Sequence, residues 1–266
     1  LKLTAAFAAV YVIWGSTYLA IRIAVETMPP FAMAGVRFVL AGALLYGWQR
    51  SRGAPAPQRI HWRSALIIGA LLLLGGNGGV TWAEQEIPSG LAALVIATVP
   101  IWVVVFGALR PGTPRPSRRT LAGVLLGMAG IALLIGPSNL AAAGEEIRTI
   151  SYVALLLSPV LWSIGSLYSR GATLPASQLQ ATGMEMLLGG GLLLLAATIT
   201  GEWASFDLAA ISARSAAAFF YLVFIGAIIG FTAYIWLLKH TTPTKATTYA
   251  YVNPVVAVFL GWAVLS

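Results

Sequence analysis

Long apolar runs separated by short polar breaks dominate this chain. A helix that crosses a bilayer needs ~20 consecutive, mostly apolar residues. By that rule the pattern predicts nine spans, at 3–25, 31–48, 64–83, 89–109, 120–136, 150–169, 178–199, 215–238 and 244–265. The punctuation between them is of the kind that stops helices. Met28-Pro29-Pro30 parts the first two runs, Pro55 and Pro57 lie between Arg50 and Arg63, Arg110-Pro111-Gly112 follows the fourth run, and Leu174-Pro175 precedes the seventh. The first run is long enough to span and stay, and no cleavage pattern follows it.

Composition agrees. The chain is 59% hydrophobic and 9% charged, with a mean hydropathy of +0.86, whereas a soluble domain is ~25% charged. The net charge of +8 is not the footprint of a nucleic-acid binder, because the basic residues sit in short loops between spans, where they act as topology signals. With the N-terminus in the cytoplasm, the inner side holds Lys2, Arg50, Arg52, Arg59, Arg63, Arg110, Arg115, Arg118, Arg119, Arg170, Lys239 and Lys245. The outer side has Arg148 and Arg214, while Arg22 and Arg37 fall within spans. The acids Glu26, Glu84, Glu86, Glu145, Glu146, Glu202 and Asp207 go outside, and Glu185 lies within a span. There is no cysteine, and the two histidines, His61 and His240, have no partners at metal-ligand spacing. Neither a metal site nor a cofactor is expected. No Walker motif is present, and no nucleophile–base pair suggests an enzyme.

The chain resembles itself. At an offset of 148, Trp14 lands on Trp162, Arg22 on Arg170, Gly35 on Gly183 and Gly42 on Gly190. At an offset of 154, Gly76 lands on Gly230, Trp82 on Trp236, Pro100 on Pro254 and Gly107 on Gly261. The pattern predicts an all-α polytopic membrane protein of two five-helix repeats, residues 1–148 and 149–266. An odd repeat unit makes the second copy cross the membrane in the opposite sense, the architecture of many secondary transporters. The partner of the fifth helix would then fall beyond Ser266, as a tenth helix.

Several motifs also resemble the drug/metabolite transporter superfamily and its EamA-type ten-helix exporters. They are Val12-Ile13-Trp14-Gly15-Ser16-Thr17-Tyr18, Ala97-Thr98-Val99-Pro100, Tyr251-Val252-Asn253-Pro254 and Leu121-Ala122-Gly123-Val124-Leu125-Leu126-Gly127. Within that group the chain looks most like YddG-type exporters of aromatic amino acids and related metabolites. The resemblance implies alternating access around a central cavity in a bacterial inner membrane.

A midplane pathway needs polar and aromatic side chains and backbone that can bend. Trp14 and Tyr18 in the first span, and Trp162, Ser163 and Ser166 in the sixth, fall at mid-depth. They read as ligand walls or, equally, as packing between repeats. Gly75-Gly76-Asn77-Gly78-Gly79 reads either as exposed backbone around a ligand contact at Asn77 or as a close helix crossing. Pro100 and Pro254 could kink two gates, with Thr98, Trp102, Tyr251 and Asn253 beside them and Tyr234 as a lesser candidate. Arg37 and Glu185, equivalent at offset 148, read either as a proton- or substrate-linked site or as a structural ion pair or peripheral anchors. Arg22 is expected to snorkel, and Trp48, Trp62, Trp82, Trp203 and Trp236 to sit in interfacial belts. Gly123-x-x-x-Gly127 and Gly226-x-x-x-Gly230 permit close helix contact or dimerisation, so the state could be monomer or homodimer.

The leading reading is an exporter of small, uncharged or zwitterionic metabolites, probed best with aromatic and other neutral amino acids. A multidrug or sugar-phosphate carrier, or a membrane sensor that transports nothing, is the alternative. The partners expected are a small-molecule substrate and membrane lipids.

Overall fold

The computed structural model describes residues 2–109, 116–142 and 149–265; Arg110, Arg115, Glu145, Glu146 and Arg148 lie outside them. The described residues form helices and loops, with no strand. Among the described residues nine long helices run α1 (Lys2–Val25), α2 (Pro30–Ser51), α3 (Arg59–Ala83), α4 (Ser89–Ala108), α5 (Arg118–Ala142), α6 (Thr149–Gly171), α7 (Gln178–Ile199), α8 (Ala213–His240) and α9 (Tyr249–Leu265). Seven of them, α1–α4 and α6–α8, are long and apolar enough to cross a membrane by length and composition. In hydrocarbon every backbone amide must be satisfied within the protein, which is why the long runs are helical.

Helix ends are fixed by local chemistry. Pro30 opens α2, where its missing N–H removes no hydrogen bond. The amides of Phe31 and Ala32 donate to the Glu202 carboxylate at 3.1 and 2.8 Å. This carboxylate sits at the positive end of the helix dipole. Burial holds its carboxyl above the usual carboxylate range, against the pull of those two amides. Ser177 and Ser212 accept from the amides of Gln180 and Ser215 at 3.3 and 3.0 Å, capping α7 and α8. Glu202→Ala should lower the melting temperature of the detergent-purified protein, through a loss of about 1–2 kcal/mol at the head of α2. An unchanged melt would show that the cap adds nothing.

The tightest pairing is α2 against α7. A side chain at Gly42 would meet the Gly183 carbonyl, and one at Gly190 would meet the Gly35 carbonyl. Rising numbers on one helix thus match falling numbers on the other, so the pair is antiparallel. Around it, α3 packs on α6 and α7, while α8 packs on α1 and α2; α4 meets α6, and α9 meets α1. The middles of α3 (Gly69–Gly78) and α8 (Leu222–Phe231) are π-helical. Such wide turns are rare and concentrate at functional sites.

Several sequence expectations change here. The break in α4 is sharper than a proline kink, since the helix stops at Ile96 and restarts at Val99 with Pro100 in its first turn. Pro254 lies inside unbroken α9, so the two prolines do different things. The expected ninth span begins instead as a short helix, Pro243–Ala246, that turns at Thr247 and Thr248 before α9. Arg22 does not snorkel. It donates to the carbonyls of Glu84 and Gln85 at 2.5 and 3.0 Å, capping the C-terminus of α3. Glu84 is fully buried rather than loop-exposed. Trp82 stacks on Phe31 (5.0 Å between centroids) and Trp236 on His240 (3.9 Å), so neither ring is a free belt anchor. Trp48 and Trp203 are exposed, as belt residues would be.

Candidate functional site

At the bundle centre lies a cavity whose non-atom space, open solvent included, is about 690 Å³. Seven helices build it. From α1 come Trp14, Tyr18 and Ile21, from α2 Arg37 and Phe38, and from α3 Leu73, Asn77 and Val80. Ser158 and Trp162 of α6, Phe231 of α8, and Tyr249 and Asn253 of α9 complete most of the wall, with Ile96 and Val99 contributed at the α4 break.

The floor is aromatic. The ring of Trp14 lies 5.4 Å from Trp162, 4.9 Å from Tyr234 and 4.9 Å from Tyr249, centroid to centroid. Trp162 and Tyr249 lie 5.4 and 5.5 Å from Tyr234. Polar bonds lock these rings. Trp14 Nε1 donates to the Gly226 carbonyl at 3.2 Å, and Trp162 Nε1 donates to the Tyr234 hydroxyl at 3.0 Å. Glycine makes the seating possible, because a Cβ at Gly76 would stand 2.6 Å from the Trp162 ring and one at Gly230 2.6 Å from the Trp14 ring. The two halves therefore exchange contacts: the tryptophan of each rests on the central glycine of the other.

The polar groups sit above this floor. Arg37 is buried and donates to Asn77 Oδ1. The Asn77 backbone carbonyl accepts from the Thr81 hydroxyl at 2.9 Å, which occupies a lone pair in the π-helical stretch. The Asn253 amide, oriented to satisfy both partners, donates to the carbonyls of Tyr11 (3.3 Å) and Tyr249 (3.1 Å).

Of the residues singled out from the sequence, Trp14, Tyr18, Asn77, Trp162 and Asn253 line the cavity. The remaining ones stand behind or away from it. Tyr234 and Ser166 lie one layer below, bonded to each other at 2.6 Å. Ser163 directs its hydroxyl to the carbonyls of Pro159 (2.6 Å) and Val99 (3.1 Å). Thr98 bonds the Val95 carbonyl at 2.7 Å, and Trp102 donates to Thr98 and stacks on Phe106. Tyr251 packs on Gly127. Pro100 and Pro254 do not line the wall. The glycines of Gly75-Gly76-Asn77-Gly78-Gly79 serve close crossing, meeting Leu161, Trp162, Leu193 and Ser158, while Asn77 between them faces the cavity. Arg37 and Glu185 do not act as a pair. Glu185 is fully buried with neither oxygen hydrogen-bonded, and the charge that faces it is Lys239.

Sequence reasoning missed Ser158, Phe231 and Tyr249 and left Arg37 open between a substrate-linked site and an anchor, whereas it lines the cavity. Helical spacing could have found the first and last of these. Ser158 is four residues before Trp162, and Tyr249 four before Asn253, so each shares its partner's face.

A bundle of membrane-length helices around a central cavity defines a polytopic membrane protein. Comparison with known proteins gives the family. A profile of the EamA-like transporter family matches residues 3–136 and 149–266, and the chain belongs to that family of membrane transporters. It is 42% identical over 263 residues to a protein of Escherichia coli K12 named as the uncharacterized inner membrane transporter YedA, covering 98% of this chain and 82% of that one. It is 24% identical to the uncharacterized transporter YoaV of Bacillus subtilis, over 95% of this chain and 85% of that protein. One solved crystal structure superposes with a TM-score of 0.74 at 21% identity, covering 99% of this chain and 89% of the other. At that identity the likeness speaks to the fold.

Proposed function

We propose that this protein is a secondary transporter exporting small metabolites, amino acids among them, by alternating access, and that residues 1–148 and 149–266 are inverted repeats. The observation that carries the reading is the cavity itself: an aromatic floor beneath Arg37, Asn77 and Asn253 in the middle of the bundle. Aromatic faces and amides suit an apolar or aromatic body with a polar head. The inversion is supported by the antiparallel seating of α2 on α7 and by the exchanged tryptophan–glycine contacts.

The inner-membrane location follows the name of the E. coli relative, and the arginine- and lysine-rich loops support a cytoplasmic N-terminus. In that orientation the cavity faces outward. Ile21 lies near the outer end of α1 and Val80 near that of α3. Tyr234 and Ser166 lie on the inner side and would have to part for the site to open to the cytoplasm.

Proteoliposomes given radiolabelled aromatic and neutral amino acids, with and without a pH gradient, test this. Saturable uptake by the wild-type protein is expected. Binding without flux would favour a sensor, and neither binding nor flux would remove the proposal. Asn77→Ala should lower flux about tenfold while expression holds, since it unties Arg37 from α3 and removes an amide from the wall. Normal flux in this variant would take Asn77 out of the site.

A further inference from the structure

Arg37 lines the cavity although it is only 3% exposed. One of its amino groups donates to Asn77 Oδ1, but its Nε–H has no hydrogen-bond partner. The guanidinium carbon stands 4.5 Å from the centroid of the Phe38 ring, which holds the fork in place. A buried guanidinium with an unmade hydrogen bond is costly unless something charged meets it. The neighbouring carboxylate does not. Both Glu84 oxygens are buried without hydrogen bonds, and Glu84 lies in the field of Arg22 as well as Arg37. Arg22 directs donors to the end of α3 instead. Two guanidiniums facing one carboxylate leave a positive charge uncompensated at the cavity edge, and no acidic side chain is among the residues lining the cavity.

We propose that Arg37 selects substrates carrying a carboxylate, its planar fork meeting the two oxygens while the apolar body of the ligand lies toward Trp14 and Trp162. This rests on the reading of the cavity as the transport site. A guanidinium is suited to the role because it presents paired, coplanar donors that match a carboxylate, which an ammonium cannot do. The same uncompensated charge repels ligands of net positive charge, so amines and cationic drugs are poor fits and zwitterions or anions good ones.

The test compares three probes that share one ring: L-phenylalanine, L-phenylalaninamide and phenethylamine. Binding to the detergent-purified protein is measured by calorimetry. The wild-type protein is expected to bind phenylalanine at least tenfold more tightly than either of the others. Arg37→Gln is expected to erase that preference by weakening phenylalanine at least tenfold while leaving phenylalaninamide no weaker. Arg37→Lys should fall between. Equal weakening of acid and amide by Arg37→Gln would overturn the proposal and give Arg37 a structural role. Equal affinity of the wild-type protein for acid and amide would overturn it too, and both results would leave the aromatic site standing. Binding of none of the three by the wild-type protein would overturn the proposal together with the reading of the site. If Arg37→Gln does not fold, the wild-type ratio and its fall in Arg37→Lys decide the matter.

Discussion

Gly183→Ala is expected to lower the thermal stability of the protein sharply, whereas Gly191→Ala on the same helix should leave it unchanged or raise it. A Cβ at Gly183 would stand 2.7 Å from the Tyr46 amide nitrogen, 3.0 Å from the Gly42 carbonyl and 3.1 Å from the Tyr46 Cα. All three atoms are backbone, so no rotamer change can make room. The helices would have to separate along the tightest contact in the bundle. Gly191 has nothing within 4 Å, and neither has Gly47 on α2. There the methyl group meets open space, and the higher helix propensity of alanine favours it by up to ~1 kcal/mol. At Gly183 that gain is opposed by overpacking at or beyond the usual ~3 kcal/mol, for a net loss of at least ~2 kcal/mol. Gly42→Ala should behave like Gly183→Ala, and the double variant should lose less than the sum, because both clashes are relieved by one separation. Thermal unfolding followed by size exclusion in detergent gives the comparison. Equal melting of Gly183→Ala and Gly191→Ala would refute the close-seated α2–α7 pair.

That contact shows what the sequence could and could not tell. Gly35, Gly42, Gly183 and Gly190 stood out because they recur at one offset. Their partners could not be read, since a glycine that seats a helix looks the same as one that bends it. The helices themselves were legible because a bilayer demands length and apolarity in one uninterrupted stretch. Boundaries slipped where polar residues were helical nonetheless. Arg59, His61 and Arg63 belong to α3, held by the reciprocal Gln58–His61 cap, although hydropathy places the start of the span at 64. The π-helical turns in α3 and α8 were not predicted, although the glycine run at 75–79 marked the end of the first as a place of irregular backbone or close crossing.

The site was half legible for a similar reason. Depth in the membrane follows from position along a run, which is how Trp14, Asn77 and Trp162 were singled out, and all three line the cavity. Rotation about the helix axis does not follow from depth. Ser163 and Ser166 share the depth of Trp162 but satisfy their hydroxyls on carbonyls of their own helix, at Pro159 and Trp162. Stepping by four or three from a correct anchor recovers the wall. Trp14 leads to Tyr18 and Ile21, Asn77 to Leu73 and Val80, and Trp162 to Ser158. Arg37 stayed undecided between a substrate-linked site and an anchor because a charge within a span carries only its cost in lipid, while its surroundings in the fold are Asn77, Phe38 and the cavity.

The larger functional effect is expected at Trp14. Trp14→Ala should reduce saturable transport about 30- to 100-fold in proteoliposomes while the protein still folds. Its ring is partly buried, unlike that of Trp162, and it touches three aromatic rings of the floor. Aromatic pairs are worth ~0.5–1.5 kcal/mol each beyond the area they bury. Losing the pairs that order the floor, together with the face offered to a ligand, corresponds to about 2–3 kcal/mol, and each 1.4 kcal/mol is tenfold. Trp162→Ala is a poorer probe. It removes a buried ring and the donor to Tyr234, and loss of a buried tryptophan costs ~3–5 kcal/mol of stability, so low flux could reflect low protein. Trp14→Phe separates packing from polarity at the same position. It keeps a ring over Gly230 and gives up only the bond to the Gly226 carbonyl, so flux should stay within about fivefold of wild type, the ~1 kcal/mol of one hydrogen bond. If Trp14→Ala carried substrate at the wild-type rate and with the same half-saturation, the aromatic floor would be packing alone, and the pathway would have to be sought elsewhere in the bundle.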